Sequence, residues 1–195
     1  MYPHPALVVL LDRAERLPYK AKQGRTADVR YAAMCELVQG LERFLAAAAR
    51  WFDVTPLADP LTFSPENRRL AIVTAERAVT LQLRDDAFAR IAWPSGTSAA
   101  WRELAVSVLH EGLLKPLFDI TDAKLDAKTH VEYTADQAEA IALARSGKYQ
   151  AAFLIAATTP AELQAVVRGG ELMPHKSTHF YPKLLDGLVF HRIDA

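Results

Sequence analysis

The densest run of chemistry-bearing side chains in this sequence lies near its carboxyl end. Met173-Pro174-His175-Lys176-Ser177-Thr178-His179-Phe180-Tyr181-Pro182-Lys183 holds two lysines, two histidines, two aliphatic hydroxyls and a tyrosine, with two prolines among them. The run follows neither the helical nor the strand period. Ammonium groups, hydroxyls and backbone N–H donors together suit a phosphate or a carboxylate. The expected ligand contacts are therefore Lys176, Ser177, Thr178, Tyr181 and Lys183. The lysines would supply charge, the hydroxyls would orient oxygens, and Tyr181 would wall the site or donate. His110, His175 and Thr158 are accessory candidates. The alternative is a rigid surface loop held by its prolines, with Phe180 and Tyr181 tucked into the core.

Several familiar motifs nearly match and fail on one residue each. Gly170 precedes His175-Lys176-Ser177 at the spacing of a phosphate loop, but His175 stands where the second glycine must be, and Pro182 stops a helix from following. His110-Glu111 opens like the zinc signature His-Glu-x-x-His, but position 114 is Leu. His110 borders an apolar stripe, so a semi-buried, hydrogen-bonded histidine is expected there. His175, His179 and His191 have no fixed geometry in a proline-containing segment, and no metal site is expected. Cys35 lies in a helical pattern and reads as a buried thiol. Gly24, Gly40 and Gly96 are isolated, so no dinucleotide-binding turn is built. Thr158 and Thr159 stand where a strand gives way to a helix, the place where ligands of parallel α/β units gather.

The elements that must position these residues are partly legible. Ala6–Leu11 is a short apolar run that reads as a buried strand. Asp12–Asp28, with Arg13, Arg16, Lys20, Lys22 and Arg25, reads as a solvated loop. Ala33, Leu37, Leu41, Phe44, Leu45 and Ala48 then recur at helical spacing, predicting a long helix. Pro56, Pro60 and Pro65 mark an irregular connection between Asp53 and Asn67. Leu70–Thr74 and Val79–Leu83 resemble an antiparallel hairpin turned by Ala75-Glu76-Arg77. Trp101, Leu104, Ala105, Val108 and Leu109 predict an amphipathic helix ended by Pro116.

Beyond it, His130–Tyr133 reads as a strand. Thr134 and Gln137 read as a capping box, opening a helix that stops at Gly147. Ala151–Ile155 is a continuous apolar strand. Thr159-Pro160-Ala161-Glu162 is a second capping box, for a helix stopping at Gly169-Gly170, and Leu188–Phe190 is a final strand. The expected fold is mixed α/β: a mixed sheet with a C-terminal parallel βαβ unit, a long N-terminal helix and a central antiparallel hairpin. One domain over 1–195 is expected, with a helical lead-in 1–60 and a remainder 61–195 as the subdivision.

Composition narrows the function classes. The 195 residues are 51% hydrophobic and 24% charged, enough for a sizeable core without staples. Lys plus Arg and Asp plus Glu number 23 each, so the net charge is zero, against a general nucleic-acid or anionic-membrane binder. A single cysteine excludes an internal disulfide and a multi-cysteine metal cluster. The N-terminus lacks the basic start of a secretory signal, and no apolar run approaches the roughly 18–20 residues that span a bilayer. A cytoplasmic protein is expected, and plentiful alanine and arginine fit a GC-rich bacterial genome.

The Met173–Leu184 segment, followed by Gly187-Leu188-Val189, resembles the C-terminal signature of a bacterial and archaeal family, the domain of unknown function numbered 1015. Glu132-Tyr133-Thr134-Ala135-Asp136, Gly147, Ala151-Ala152-Phe153-Leu154, Gly170-Glu171 and Leu109-His110-Glu111 are similar to the family's pattern as well. The resemblance runs from about Trp101 to Phe190 and is faint from Met1 to Phe52. The family's longer N-terminal half, with its Asp-Gly-His-His-Arg motif, has no counterpart in this chain. The resemblance thus implies a split or truncated member. The family's setting near serine-biosynthesis genes implies a phosphorylated small metabolite as ligand.

Two functions of different class are expected from these readings. The first is binding of a small phosphate- or carboxylate-bearing metabolite at the His175–Lys183 segment, with phosphoryl transfer or phosphate-ester hydrolysis as the chemistry if there is any. The second is a non-catalytic half that docks onto a separate N-terminal partner or onto a second copy of itself. No cofactor follows from the residues.

Overall fold

In the computed structural model, residues 7–11, 44–118, 120–126, 131–174 and 177–178 are described. A helical stretch over 44–48 enters the core through Phe44, Leu45 and Ala48. The rest of the expected N-terminal helix, the basic loop before it and the final strand Leu188–Phe190 lie outside the described residues.

Six strands form one sheet: β1 (Leu7–Leu11), β2 (Phe52–Pro56), β3 (Arg69–Val73), β4 (Ala78–Leu83), β5 (Val131–Thr134) and β6 (Ala151–Ile155), in the order β2-β4-β3-β6-β1-β5. Helices complete a mixed α/β fold: α1 (Asp85–Phe88), α2 (Ala99–Arg102), α3 (Ala105–Leu109), α4 (Lys115–Phe118), α5 (Asp122–Asp126), α6 (Gln137–Arg145) and α7 (Pro160–Arg168). Strands from both sides of residue 60 share the sheet.

Every strand pairing is antiparallel, which corrects one detail of the expected architecture. β5 and β6 do run in the same direction, as a βαβ unit requires. They are not neighbours, because β1 lies between them and pairs antiparallel with both, Val9 standing opposite Tyr133 and Phe153. The unit is split by a strand from more than a hundred residues away in sequence. Its local pattern, strand then helix then strand, is the same either way, so only the non-local pairing decides between the two.

The hairpin forms as expected, with Val73 opposite Ala78. No glycine or asparagine is needed, because Thr74 closes the turn: its backbone N–H and its hydroxyl both donate to the Arg77 carbonyl, at 2.9 and 3.1 Å. β2 was hidden in the sequence by its proline. Pro56 sits at the end of an edge strand, where a missing N–H costs no ladder bond.

Both faces of the sheet are covered, which explains why all five residues of β6 are apolar and buried. One face carries Leu70, Ile72, Leu81, Phe153 and Ile155 against the segment Leu104–Leu114. The other carries Ala71, Val73, Ala152 and Leu154 against Ala140, Ile141 and Ala144 of α6. Phe118 bridges Phe44 and Phe153, at 4.7 Å in a stacked pair and at 6.1 Å edge-on.

The amphipathic helix differs from its expected form at both ends. Leu104 is extended (ψ 133°), so α2 stops and α3 starts anew. The helix then passes through Pro116 instead of ending there. A π-helical turn, His110–Leu114, joins α3 to α4, and the Lys115 N–H donates to the His110 carbonyl five residues back. The wider turn removes the clash that a proline makes with the preceding α-helical turn.

Candidate functional site

Two capping arrangements shape the carboxyl end of β6. At α7 the expected box is complete: the Glu162 N–H donates to Thr159 Oγ1 at 3.2 Å, and the Thr159 N–H donates to Glu162 Oε2 at 2.7 Å. At α6 the expected box between Thr134 and Gln137 does not form. Asp136 is the N-cap, accepting from the Glu139 N–H at 3.0 Å. A carboxylate one residue before the helix reaches the orphan N–H groups better than Thr134 from the strand end. The Gln137 amide is thereby free for another task. It donates to the carbonyls of Pro60 at 2.9 Å and Phe63 at 3.2 Å, fastening the 60–63 loop to the start of α6.

These caps and that loop enclose an open cleft of about 760 Å³, lined by Phe63, Glu66, Asn67, Gln137, Ala156, Thr159 and Glu162 among others. Its floor is the chain leaving β6, and its walls are the starts of α6 and α7. Across it, Asn67 Nδ2 donates to Glu162 Oε1 at 2.6 Å. Glu66 lies on the rim, largely exposed and loosely paired with Arg69 at 3.6 Å. The lining holds two carboxylates and no lysine or arginine. The cleft therefore complements a hydrogen-bond donor or a cation.

The rim turn Glu66–Arg69 is closed by reciprocal backbone bonds, at 3.1 Å and 3.0 Å. Its second central residue, Arg68, has φ 63°, the only positive φ at a non-glycine among the described residues. Type II turns take glycine or asparagine there, because a Cβ is disfavoured. The Arg68 side chain holds the turn in place. Its guanidinium binds both Glu103 oxygens, donates to Asp85 Oδ1 at 2.7 Å, and stacks 3.7 Å over the Phe88 ring. The hydrogen bond to Glu103, with its charge and that of Asp85, outweighs partial burial and raises the Arg68 pKa further.

The residues expected from sequence fall elsewhere. Lys176, Tyr181, Lys183 and His175 lie outside the described residues, as does Cys35. Ser177 is buried, and its hydroxyl donates to the Pro174 carbonyl at 2.7 Å, closing a turn on itself. Thr178 is exposed and Thr158 half-buried. Thr158 adjoins the cleft in sequence but is not part of its lining. His110 is buried in the π turn, with Nε2 at 3.3 Å from the Tyr133 hydroxyl. Burial pushes the Tyr133 pKa up to about 12. On the same helix Lys115 Nζ reaches Glu111 at 2.7 Å and Asp122 at 2.9 Å. Burial alone would lower its pKa, but these two carboxylates hold it above the ordinary value.

Glu66, Asn67, Gln137 and Glu162 escaped sequence reasoning as site residues. The available signal was the strand end at Thr158-Thr159 beside a complete capping box, which marked the place but not the wall contributed by the 63–67 loop.

No family model and no curated protein matches the chain. Among solved structures it is similar to a conserved hypothetical protein from Pyrococcus furiosus, at 15% identity and a TM-score of 0.43, over 89% of this chain and 53% of that one. The chain spans about half the length of that protein.

Proposed function

We propose that this chain binds a small polar metabolite in the cleft at the carboxyl end of β6, through an amine or another donating group of the ligand. One observation carries the reading: an open cleft whose charged lining residues are Glu66 and Glu162 alone. Asn67 and Gln137 add amides, and Phe63 and Ala156 add apolar surface. The ligand would meet Glu66 first, since Glu162 already serves α7 and Asn67.

Titration calorimetry and thermal shift of the full chain against spermidine, putrescine, serine, phosphoserine and inorganic phosphate tests this. The amines should stabilise the protein, and Glu66→Gln should weaken them about fivefold or more. A preference for phosphoserine or phosphate that is lost in Lys176→Ala would instead place the ligand at the His175–Lys183 segment and sink the cleft reading.

A docking role is a second reading, and one observation favours it. Val167 and Leu172, at the end of α7 and just past it, are 57% and 90% exposed. Apolar side chains this open suit a protein partner when they are contiguous.

A further inference from the structure

The turn that carries Asn67 into the cleft is held from outside it. Asn67 and Arg68 are its two central residues, and they serve opposite sides. Asn67 reaches across to Glu162, whose second carboxylate oxygen caps α7. Arg68 reaches back to Glu103, beyond α2, and to Asp85 and Phe88 of α1. Its backbone sits at φ 63°, which disfavours a residue with a Cβ by roughly tenfold or more. Strain of this kind persists only where the surroundings over-determine it. Here two carboxylates and a ring do so, for a side chain that remains 23% exposed.

We propose that Arg68 is the positioning residue of the cleft: its clamp by Glu103, Asp85 and Phe88 fixes the left-handed turn that presents Asn67 and Glu66 to a ligand. This rests on the cleft being the binding site. It adds that affinity there also depends on contacts that do not touch the ligand. The clamp and the cleft are then coupled through one backbone conformation, and Glu103 acts on the site from outside its lining.

Three variants separate the conformation from the ion pairs. Arg68→Ala removes the clamp and Glu103→Gln weakens it, and both keep a Cβ at position 68. Arg68→Gly removes the clamp as well but takes positive φ without steric cost. The ligand-independent readout is the Asn67 side-chain amide resonance, shifted by its bond to Glu162, and the binding readout is spermidine affinity. Arg68→Ala and Glu103→Gln should move the Asn67 amide toward its free-solvent position and weaken spermidine about fivefold or more. Arg68→Gly should recover most of both, although the bonds of the guanidinium are gone. Glycine behaving like alanine, or an Asn67 amide unmoved in Arg68→Ala, overturns the proposal. Wild-type protein that ignores spermidine while its Asn67 amide still follows the predicted order would remove the ligand reading and leave the positioning role intact.

Discussion

Single residues decide how the cleft is walled. Thr159 caps α7 and lines the cleft at once, so Thr159→Ala should cost about 1 kcal/mol and lower the melting temperature. Gln137→Ala should remove the side-chain donor that the Pro60 and Phe63 carbonyls share. A similar loss of about 1 kcal/mol is expected, with faster amide exchange over 60–63. Tyr133 makes a pH prediction. Its folded pKa is raised from 10.0 to about 12, so the folded state binds the proton more tightly than the unfolded state does. That contribution is fully present below about pH 10 and is lost as the pH rises through about 12. Tyr133→Phe removes the titration. Between about pH 10 and about pH 12 the variant's melting temperature should fall less than wild type's. An equal fall in both proteins would assign the alkaline loss to other groups, Lys115 foremost, since its pKa is raised too.

Elements were legible wherever their cues are local. The Thr159–Glu162 box and the stop of α6 at Gly147 act within one or two turns of chain, and both appear as expected. The errors share a different cause. Pro116 passes through a helix because a π turn upstream makes room for it. Pro56 ends a strand because that strand is at the sheet edge. Thr134 loses its capping role because Asp136 is better placed. In each case the residue is compatible with two outcomes, and neighbours in space choose between them. The strand order gives the sharpest test. β1 is an interior strand, bonded on both sides, and a proline within it breaks the ladder. Val9→Pro should therefore destabilise the fold by about 1–3 kcal/mol in urea unfolding, the cost of a buried ladder carbonyl left without its donor. A fold in which β5 and β6 paired directly, leaving β1 at an edge, would tolerate it.

The whole molecule depends on contacts that the chain makes late. β1 meets strands more than a hundred residues downstream, so the central pairings carry a high loop-closure cost, and folding should be slower than for a helical bundle of the same length. At the surface, Leu172→Lys separates the docking reading from incidental exposure. Concentration-dependent association in sedimentation should disappear in that variant while the melting temperature stays within about a degree of wild type, since an open surface side chain contributes little to stability. No helix among the described residues is long and apolar enough to cross a membrane.

By itself the sequence determined the fold class, the hairpin, the apolar interior strand β6, the stop of α6 and both ends of α7. Those follow from periodicity, caps and helix stops, whose ranges are only a few residues. Tertiary structure alone decided that β1 splits the βαβ unit, that Gln137 braces a loop instead of a cap, and that Glu66, Asn67 and Glu162 meet at one cleft. Asn67 and Glu162 are 95 residues apart, and no local pattern encodes such a pair. Arg68 shows the same limit most plainly: nothing near it in sequence announces a left-handed backbone, because the carboxylates and ring that hold it there arrive from Asp85, Phe88 and Glu103.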